Sequence, residues 1–327
     1  MVLNGAVVVT GAHGFAGSAL TAHYEFAGRE FRGLVRAHSG ATSSRPEFVA
    51  VGDLARLDDA QLARLLEGAG AVVHLAGRAH VMRETDPDPL RAYREANVVA
   101  TERLARAAAA AKVARFVLAS TVKVNGEHSP PDRPFRPDDP PSPQDAYARS
   151  KRAAEAALSD AVAGSATAPI VLRLPLMYGP GVKGNFLALM HAVARGRRLP
   201  VGAVTARRSL LYVGNLVHAL DAALDAPVAP AGIHFVADKE TPTVAELAQA
   251  LGRVLDRPAR VVAVPLPLLR FAATLAGRRS TFARIASPLL VDTASFGRAT
   301  GFAPPYTLAE GLATTARWWD ARHEARG

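Results

Sequence analysis

Short, almost purely apolar runs alternate along the chain with longer stretches in which apolar residues return every three or four positions. The first run is AVVVT at Ala6 to Thr10, and a helical pattern over Phe15 to Ala27 follows it across a glycine-rich turn. Strand-like runs recur at 31–35, 47–51, 71–75, 115–119 and 170–174, with helical patterns at 57–66, 90–111 and 146–162. Such alternation predicts an α/β fold, a Rossmann doubly wound parallel sheet whose strands are joined by right-handed crossovers.

The later part of the chain is patterned differently. Residues 129–143 hold too many prolines for a helix and read as a loop. Beyond Pro175 the periodicity loosens, and 243–290 is helical but broken by proline, which suits a smaller C-terminal mixed α/β substrate domain. The expected division assigns 1–174 to the dinucleotide-binding domain, with 205–237 returning to it, and 175–204 and 238–327 mainly to the substrate domain. The apolar segment from Val261 to Ala276 reads either as a helix lying on a membrane or as core, and its internal prolines favour core packing.

Composition narrows the class. With 327 residues, 49% of them hydrophobic and 21% charged, the chain reads as an ordinary globular protein. It lacks an uncharged 18-residue apolar span and begins almost at once with a strand, so a cytoplasmic protein without membrane insertion or a signal peptide is expected. No cysteine is present, which excludes disulfides, thiolate metal sites and a cysteine nucleophile, and no metal site is expected. The net charge of +10 comes from arginines scattered among acids without aromatic interleaving, a pattern of solvated surface and not of nucleic-acid binding. A basic field of this kind favours an anionic substrate such as a nucleotide diphosphate.

Gly11, Gly14 and Gly17 form GxxGxxG directly between the first strand and the first helix. Glycines so placed permit a tight turn, close approach of a pyrophosphate, and close helix packing, with the helix N-terminus facing the phosphates. An acid ending the second strand would grip a ribose 2′-hydroxyl and mark NAD. The residue there is Arg36, which either pairs with the 2′-phosphate of NADP or is solvated, so the cofactor is NAD or NADP with a lean toward NADP. Asp53 either hydrogen-bonds the adenine edge or caps a turn.

Tyr147 and Lys151 stand four residues apart on an expected helix, so both side chains emerge on one face. Deprotonating a phenol near pH 7 takes about 4 kcal/mol of preferential phenolate stabilisation, which a neighbouring ammonium and an oxidised nicotinamide both favour. YxxxK is weak alone, but the upstream glycine turn and Ser120-Thr121 at an intervening strand end strengthen it. Thr121 either donates to the reacting oxygen or is a satisfied strand-end hydroxyl.

As a set, TGAHGFAG, GDL, HLAG, EANVVAT, STVKVNGE, YARSK, RLPLMYGPG, GNF and RRSLLYVGNL resemble the extended short-chain dehydrogenase/reductases. The resemblance covers nearly the whole chain and lies with the NAD-dependent epimerase/dehydratase family, among its nucleotide-sugar 4-epimerases and 4-keto-reductases. It implies catalysis by Thr121, Tyr147 and Lys151, with Asn97 in a structural and proton-relay role. It implies a cofactor held by Gly11, His13, Gly14, Phe15, Gly17, Arg36, Asp53, Leu54, Leu75, Ala76, Gly77, Asn97, Tyr147, Lys151 and Pro175. On the substrate side it implies Asn185 and Arg208 at the diphosphate and Leu199 to Val201 beside the base, although Arg208 taken alone is an ordinary surface charge. His80, Val81 and Lys123 either border the sugar or play plain loop roles.

Family dehydratases carry Asp-Glu after the catalytic Ser or Thr, where this chain has Val122-Lys123, so dehydration is not expected. Three activities stay open: a 4-epimerase acting on a UDP-hexose, a 4-keto-reductase making a deoxysugar for surface polysaccharide, and a silent dinucleotide sensor. Retention of Thr121, Tyr147 and Lys151 argues against the sensor, and the epimerase is narrowly preferred. A UDP-sugar partner and a homodimer are expected from the resemblance.

Overall fold

The computed structural model describes residues 4–36, 47–79, 86, 88–130, 132–277 and 279–324. Its first elements are β1 (Ala6–Thr10), α1 (Phe15–Ala27), β2 (Phe31–Val35), β3 (Phe48–Ala50), α2 (Asp59–Leu66), β4 (Ala69–His74) and α3 (Pro89–Tyr93). A π-helical turn at Arg94–Val99 leads into α4 (Ala100–Ala110), followed by β5 (Arg115–Thr121), α5 (Ala146–Val162), β6 (Ala168–Leu174) and β7 (Leu176–Tyr178). Then come α6 (Gly184–Ala194), β8 (Arg198–Leu199), β9 (Leu210–Tyr212), α7 (Val213–Asp225) and β10 (Gly232–Phe235). The chain ends with α8 (Val244–Val254), β11 (Arg260–Val261), α9 (Leu266–Leu275), α10 (Arg279–Ala286), α11 (Ala294–Thr300) and α12 (Leu308–Glu324).

Seven strands form one sheet in the order β10-β6-β5-β4-β1-β2-β3, and every pairing in it is parallel. The apolar runs are continuous because both faces are covered. Val7, Val9, Val73 and Val117 pack against Leu20 and Tyr24 of α1 and Leu216 and Leu220 of α7. Val8, Val72, Phe116 and Leu118 point the other way, onto Leu62 of α2, Leu104 of α4 and Leu158 of α5. The strand order reverses between β1 and β4, where such sheets open a crevice beyond their carboxyl ends. Register brings Thr10 opposite His74, and His74 opposite Leu118, so β5 runs on past its neighbour to Thr121.

The structure departs from the sequence pattern in several places. β5 continues two residues beyond 119, which makes Ser120 and Thr121 strand residues. The helix expected over 90–111 contains the π-helical turn, which turns Asn97 inward until it is 1% exposed. The loosened stretch after Pro175 is ordered into two small parallel pairs, β7 with β9 and β8 with β11, because their strands are too short to show a period. There Phe186 and Met190 of α6 pack on Leu247 and Leu251 of α8. The 132–143 stretch is a loop as expected, pinned where Phe135 donates its N–H to the Leu290 carbonyl at 2.8 Å and accepts from Asp292 at 2.9 Å.

Of the segment Val261 to Ala276, Val261 packs against the cluster of Phe186 and Leu247, but the helix after it does not enter the core. Helix α9 buries none of its residues, and its prolines stand in the first turn, where they start a helix instead of marking an interior.

Leu104 is fully buried against the sheet, whereas Phe26 is 94% exposed. Leu104→Ala is expected to cost about 2–5 kcal/mol and Phe26→Ala less than about 0.5 kcal/mol, read as shifts in the urea midpoint. Equal shifts for the two would mean that α4 does not seal the sheet.

Candidate active site

The glycine turn makes the first part of the site. Gly11 has a φ of 67°, and its carbonyl accepts from the Gly14 N–H at 2.7 Å. A Cβ on Gly17 would overlap that same carbonyl oxygen, so the close packing of α1 under the turn requires glycine there. α1 starts after Gly14 with no side-chain cap and no acid in its first turn. Its leading N–H groups and the positive end of its dipole suit the diphosphate of a dinucleotide, so these residues fit the cofactor that the motif implies. His13 is exposed beside Phe48, and Phe15 lies under the loop that carries Gly181.

Arg36 follows β2 directly and is exposed. Asp53 caps the short 3₁₀ turn Leu54–Arg56, accepting from the Ala55 N–H at 3.0 Å, and pairs with Arg56 at 3.5 Å. The turn-capping role weighed for Asp53 is therefore real, and buried Leu54 follows it.

Beneath Leu75 to Gly77 runs a chain of buried hydrogen bonds. Thr101 Oγ1 donates to the Asn97 carbonyl at 2.6 Å, so it accepts from His74 Nε2 at 3.1 Å. His74 Nδ1 then accepts from Thr10 Oγ1 at 2.7 Å, which in turn accepts from the Ala76 N–H at 3.1 Å. Each hydroxyl has one proton, so these bonds fix His74 as the Nε2–H tautomer. Burial, helped by the nearby charge of Lys151, pushes the ring down to about 3 and keeps it neutral.

Asn97 completes this floor. Its Oδ1 accepts from the Arg78 N–H at 2.7 Å, and its Nδ2 donates to the Arg78 carbonyl at 3.1 Å and to Ser150 Oγ at 2.8 Å. The added Cβ of an alanine at position 77 would stand 2.9 Å from Asn97 Oδ1 and 4.0 Å from Lys151 Nζ. Gly77, Asn97 and Lys151 thus share one small volume. Leu75 and Ala76 are half-buried, and Pro175, directly after β6, is buried.

Tyr147 lies in the first turn of α5, whose N-terminus Asp145 caps by accepting from the Ala148 N–H at 2.7 Å. Its phenol lies near the Thr121 side chain. Burial and then the Asp145 charge push the phenol up to about 12, with the Thr121 hydroxyl opposing them. Lys151 is 5% exposed, and its ammonium is pushed down to about 8 by burial against a partial offset from Glu155. In the protein alone, desolvation is the largest influence on both groups. Tyr93 and Arg78 extend the wall, with the guanidinium 5.4 Å above the Tyr93 ring and that ring 6.3 Å from Tyr147.

Sequence reasoning missed what lies under α5. Glu155 Oε1 accepts from Arg173 Nε at 3.0 Å and from Ser120 Oγ at 2.6 Å, while its Oε2 accepts from Arg173 Nη2 at 2.7 Å. Arg173 Nη1 also donates to Asn125 Oδ1 at 2.9 Å. Both charges are buried, and together they tie α5 to β5 and β6 below Tyr147. The available signal was a Glu four residues after Lys151, on the face that carries the reaction pair.

The substrate-side residues do not converge equally. Lys123 is engaged by Asp145 at 2.8 Å and Glu127 at 2.9 Å, and these bonds raise its ammonium despite partial burial. Asn185 is exposed in the first turn of α6, Leu199 belongs to β8, and Val201 is half-buried in the turn after it. Arg208 is no solvated surface charge: Nη1 donates to the carbonyls of Arg284 and, at 3.0 Å, Ser287, and burial lowers the guanidinium. His80 and Val81 lie outside the described residues. No group of residues able to hold a metal ion occurs among the described residues.

A parallel seven-stranded sheet with a glycine turn at its reversal point and a Tyr–Lys helix beside Thr121 defines a Rossmann-type nicotinamide-dependent enzyme. The chain belongs to the NAD dependent epimerase/dehydratase family, whose model matches residues 7–237. It is 36% identical over 268 residues to the UDP-glucose 4-epimerase of Vibrio cholerae, covering 82% of this chain and 81% of that protein. It is 31% identical over 230 residues to the dTDP-4-dehydrorhamnose reductase of Mycobacterium tuberculosis, covering 70% of this chain and 68% of that protein. The solved structure of MoeE5 in complex with UDP-glucose and NAD superposes with a TM-score of 0.75 at 27% identity, over 98% of this chain and 100% of that one.

His74 yields a pH test. Its ring is held near 3 in the folded protein against 6.5 ordinarily, so between those values the unfolded chain binds the extra proton. Its contribution to stability is present above about pH 6.5 and is lost as pH falls toward 3. His74→Gln is expected to flatten the fall in Tm between about pH 6.5 and 4.5. Parallel Tm profiles for the two proteins would rule out the buried neutral ring as the cause.

Proposed function

We propose that this enzyme is a nucleotide-sugar C4 epimerase acting on a UDP-hexose as a homodimer, by reversible hydride transfer between sugar C4 and a nicotinamide cofactor. One observation carries the reading: Lys151, one turn beyond Tyr147 on α5, shares the volume over Gly77 with Asn97, and Thr121 at the end of β5 is near enough to Tyr147 to favour its phenolate. The similar V. cholerae protein, a UDP-glucose 4-epimerase, supports it.

In this reading Tyr147 takes the proton from the sugar 4-hydroxyl on oxidation and returns it after the 4-keto sugar has turned over. Thr121 Oγ1 accepts from the Lys123 N–H at 3.3 Å, which leaves its own proton to hold the reacting oxygen. Bound nicotinamide supplies the hydride acceptor and, when oxidised, a positive charge that favours the Tyr147 phenolate. Gly11, Gly14, Gly17 and the first turn of α1 would hold its diphosphate, Asp53 and Leu54 its adenine, and Leu75 to Gly77 with Pro175 the remainder.

Residues 175–204 and 238–327 would supply most of the sugar-nucleotide site, with Asn185 and Arg208 at the diphosphate and Leu199 and Val201 at the base. Both bonds of Arg208 use Nη1, and a guanidinium carries five donors, so Nε and Nη2 are available to phosphate. Dehydration is disfavoured, because position 123 offers a lysine held by two carboxylates where an acid would be needed.

A second reading, an NADPH-dependent reductase of a nucleotide-4-keto-deoxysugar, is favoured by Arg36 at the end of β2, where a guanidinium can pair with a 2′-phosphate. The similarity to the M. tuberculosis dTDP-4-dehydrorhamnose reductase fits it, as does a Tyr147 kept as a phenol, the proton donor that a keto oxygen requires.

Tyr147→Phe should abolish interconversion of UDP-glucose and UDP-galactose, followed by chromatography, and leave nucleotide binding nearly intact. Wild-type rates in that variant would end the mechanism. Denaturing the purified protein and identifying the released cofactor by mass spectrometry separates the two activities. Stoichiometric NAD is expected of the epimerase, whereas empty protein that binds NADPH much better than NADH selects the reductase.

A further inference from the structure

We infer that α9 and α10 form a docking surface for an anionic lipid bilayer. Surface helices ordinarily bury an apolar stripe, but α9 turns its own outward. Leu268, Phe271 and Leu275, spaced to share one helix face, are 58%, 62% and 74% exposed. Val262 and Leu266, each 39% exposed, prolong the patch. Elsewhere among the described residues the exposed large apolar side chains Phe26, Leu90, Val228 and Tyr306 stand far apart in the sequence, whereas these five fall within 262–275. A concentrated apolar patch marks an interaction surface.

The charge around the patch identifies the partner. Residues 257–291 contain six arginines and no aspartate or glutamate, against a chain that elsewhere mixes both signs. Arg270 on α9 and Arg279 and Arg284 on α10, the helix that packs next to α9, are exposed. Leucine and phenylalanine at the acyl boundary with arginine at the phosphates is the arrangement of a helix lying in a membrane interface. Among the described residues no helix is long and apolar enough to cross a membrane, so the contact lies along the surface. The surface also touches the substrate side, since the Arg284 and Ser287 carbonyls hold Arg208.

Vesicle sedimentation with the full chain tests this, using phosphatidylcholine vesicles with and without phosphatidylglycerol. Binding is expected only with phosphatidylglycerol and is expected to weaken at high salt. Phe271→Asp with Leu275→Asp should lower the bound fraction about tenfold or more, and Arg279→Glu with Arg284→Glu should remove the preference for anionic lipid. Tm and NAD(P)H binding should be unchanged in both variants, which separates this surface from the sugar chemistry of the site. Three results would overturn the proposal: no vesicle binding, binding indifferent to these substitutions, or self-association that the Asp variant abolishes while vesicles are ignored. The last would assign the patch to a second copy of the chain.

Discussion

The ion pair between Glu155 and Arg173 is the constraint on which the site depends. Two opposite charges, 3% and 1% exposed, join the helix that carries Tyr147 and Lys151, through its own Glu155, to β6. Burying such a pair is tolerable only when the remaining polar atoms are bonded as well. Here Ser120 of β5 and Asn125 after it take those positions, so one network joins α5, β5 and β6. Loss of either charge would leave the other buried and uncompensated, at about 3–5 kcal/mol. The network therefore decides the distance between the helix bearing Tyr147 and the strand bearing Thr121.

A second network, neutral instead of ionic, supports the nucleotide side. Thr10, His74 and Thr101 run from the end of β1 across β4 to the helix of Asn97, and the chain ends on the Ala76 N–H above. The two networks have different consequences for charge. Glu155 leaves a negative potential that partly offsets the desolvation of Lys151, whereas a neutral His74 adds none. With Tyr147 pushed up to about 12 and Lys151 down to about 8, burial shifts both groups toward their less charged forms, although Lys151 stays mainly an ammonium near pH 7. The balance is left to ligands that bring charge into the same volume.

The C-terminal part is built on other terms. Its small core joins Phe186 and Met190 to Leu247 and Leu251, and short parallel pairs replace a large sheet. Beyond that core α9 and α10 present apolar and basic surface to the outside, tethered to Arg208. A residue expected to read a diphosphate and a surface suited to lipid phosphates thus share one segment of backbone.

The sequence by itself determined the repeating strand–helix order, the glycine turn at Gly11 to Gly17 and the spacing of Tyr147 and Lys151. Each of these is local: a period of two or 3.6 residues, or a backbone conformation that few residues adopt. Only the tertiary structure decided that β5 reaches Thr121, that Asn97 turns inward on a π-helical turn, and that Asp53 caps a turn. It also decided that Arg208 rests on carbonyls 76 or more positions away, and that α9 lies outside the core. Burial of a polar group depends on partners distant in the chain, as Glu155 and Arg173, 18 positions apart, show. A linear pattern states which residues prefer to leave water, but not which partners await them when they do.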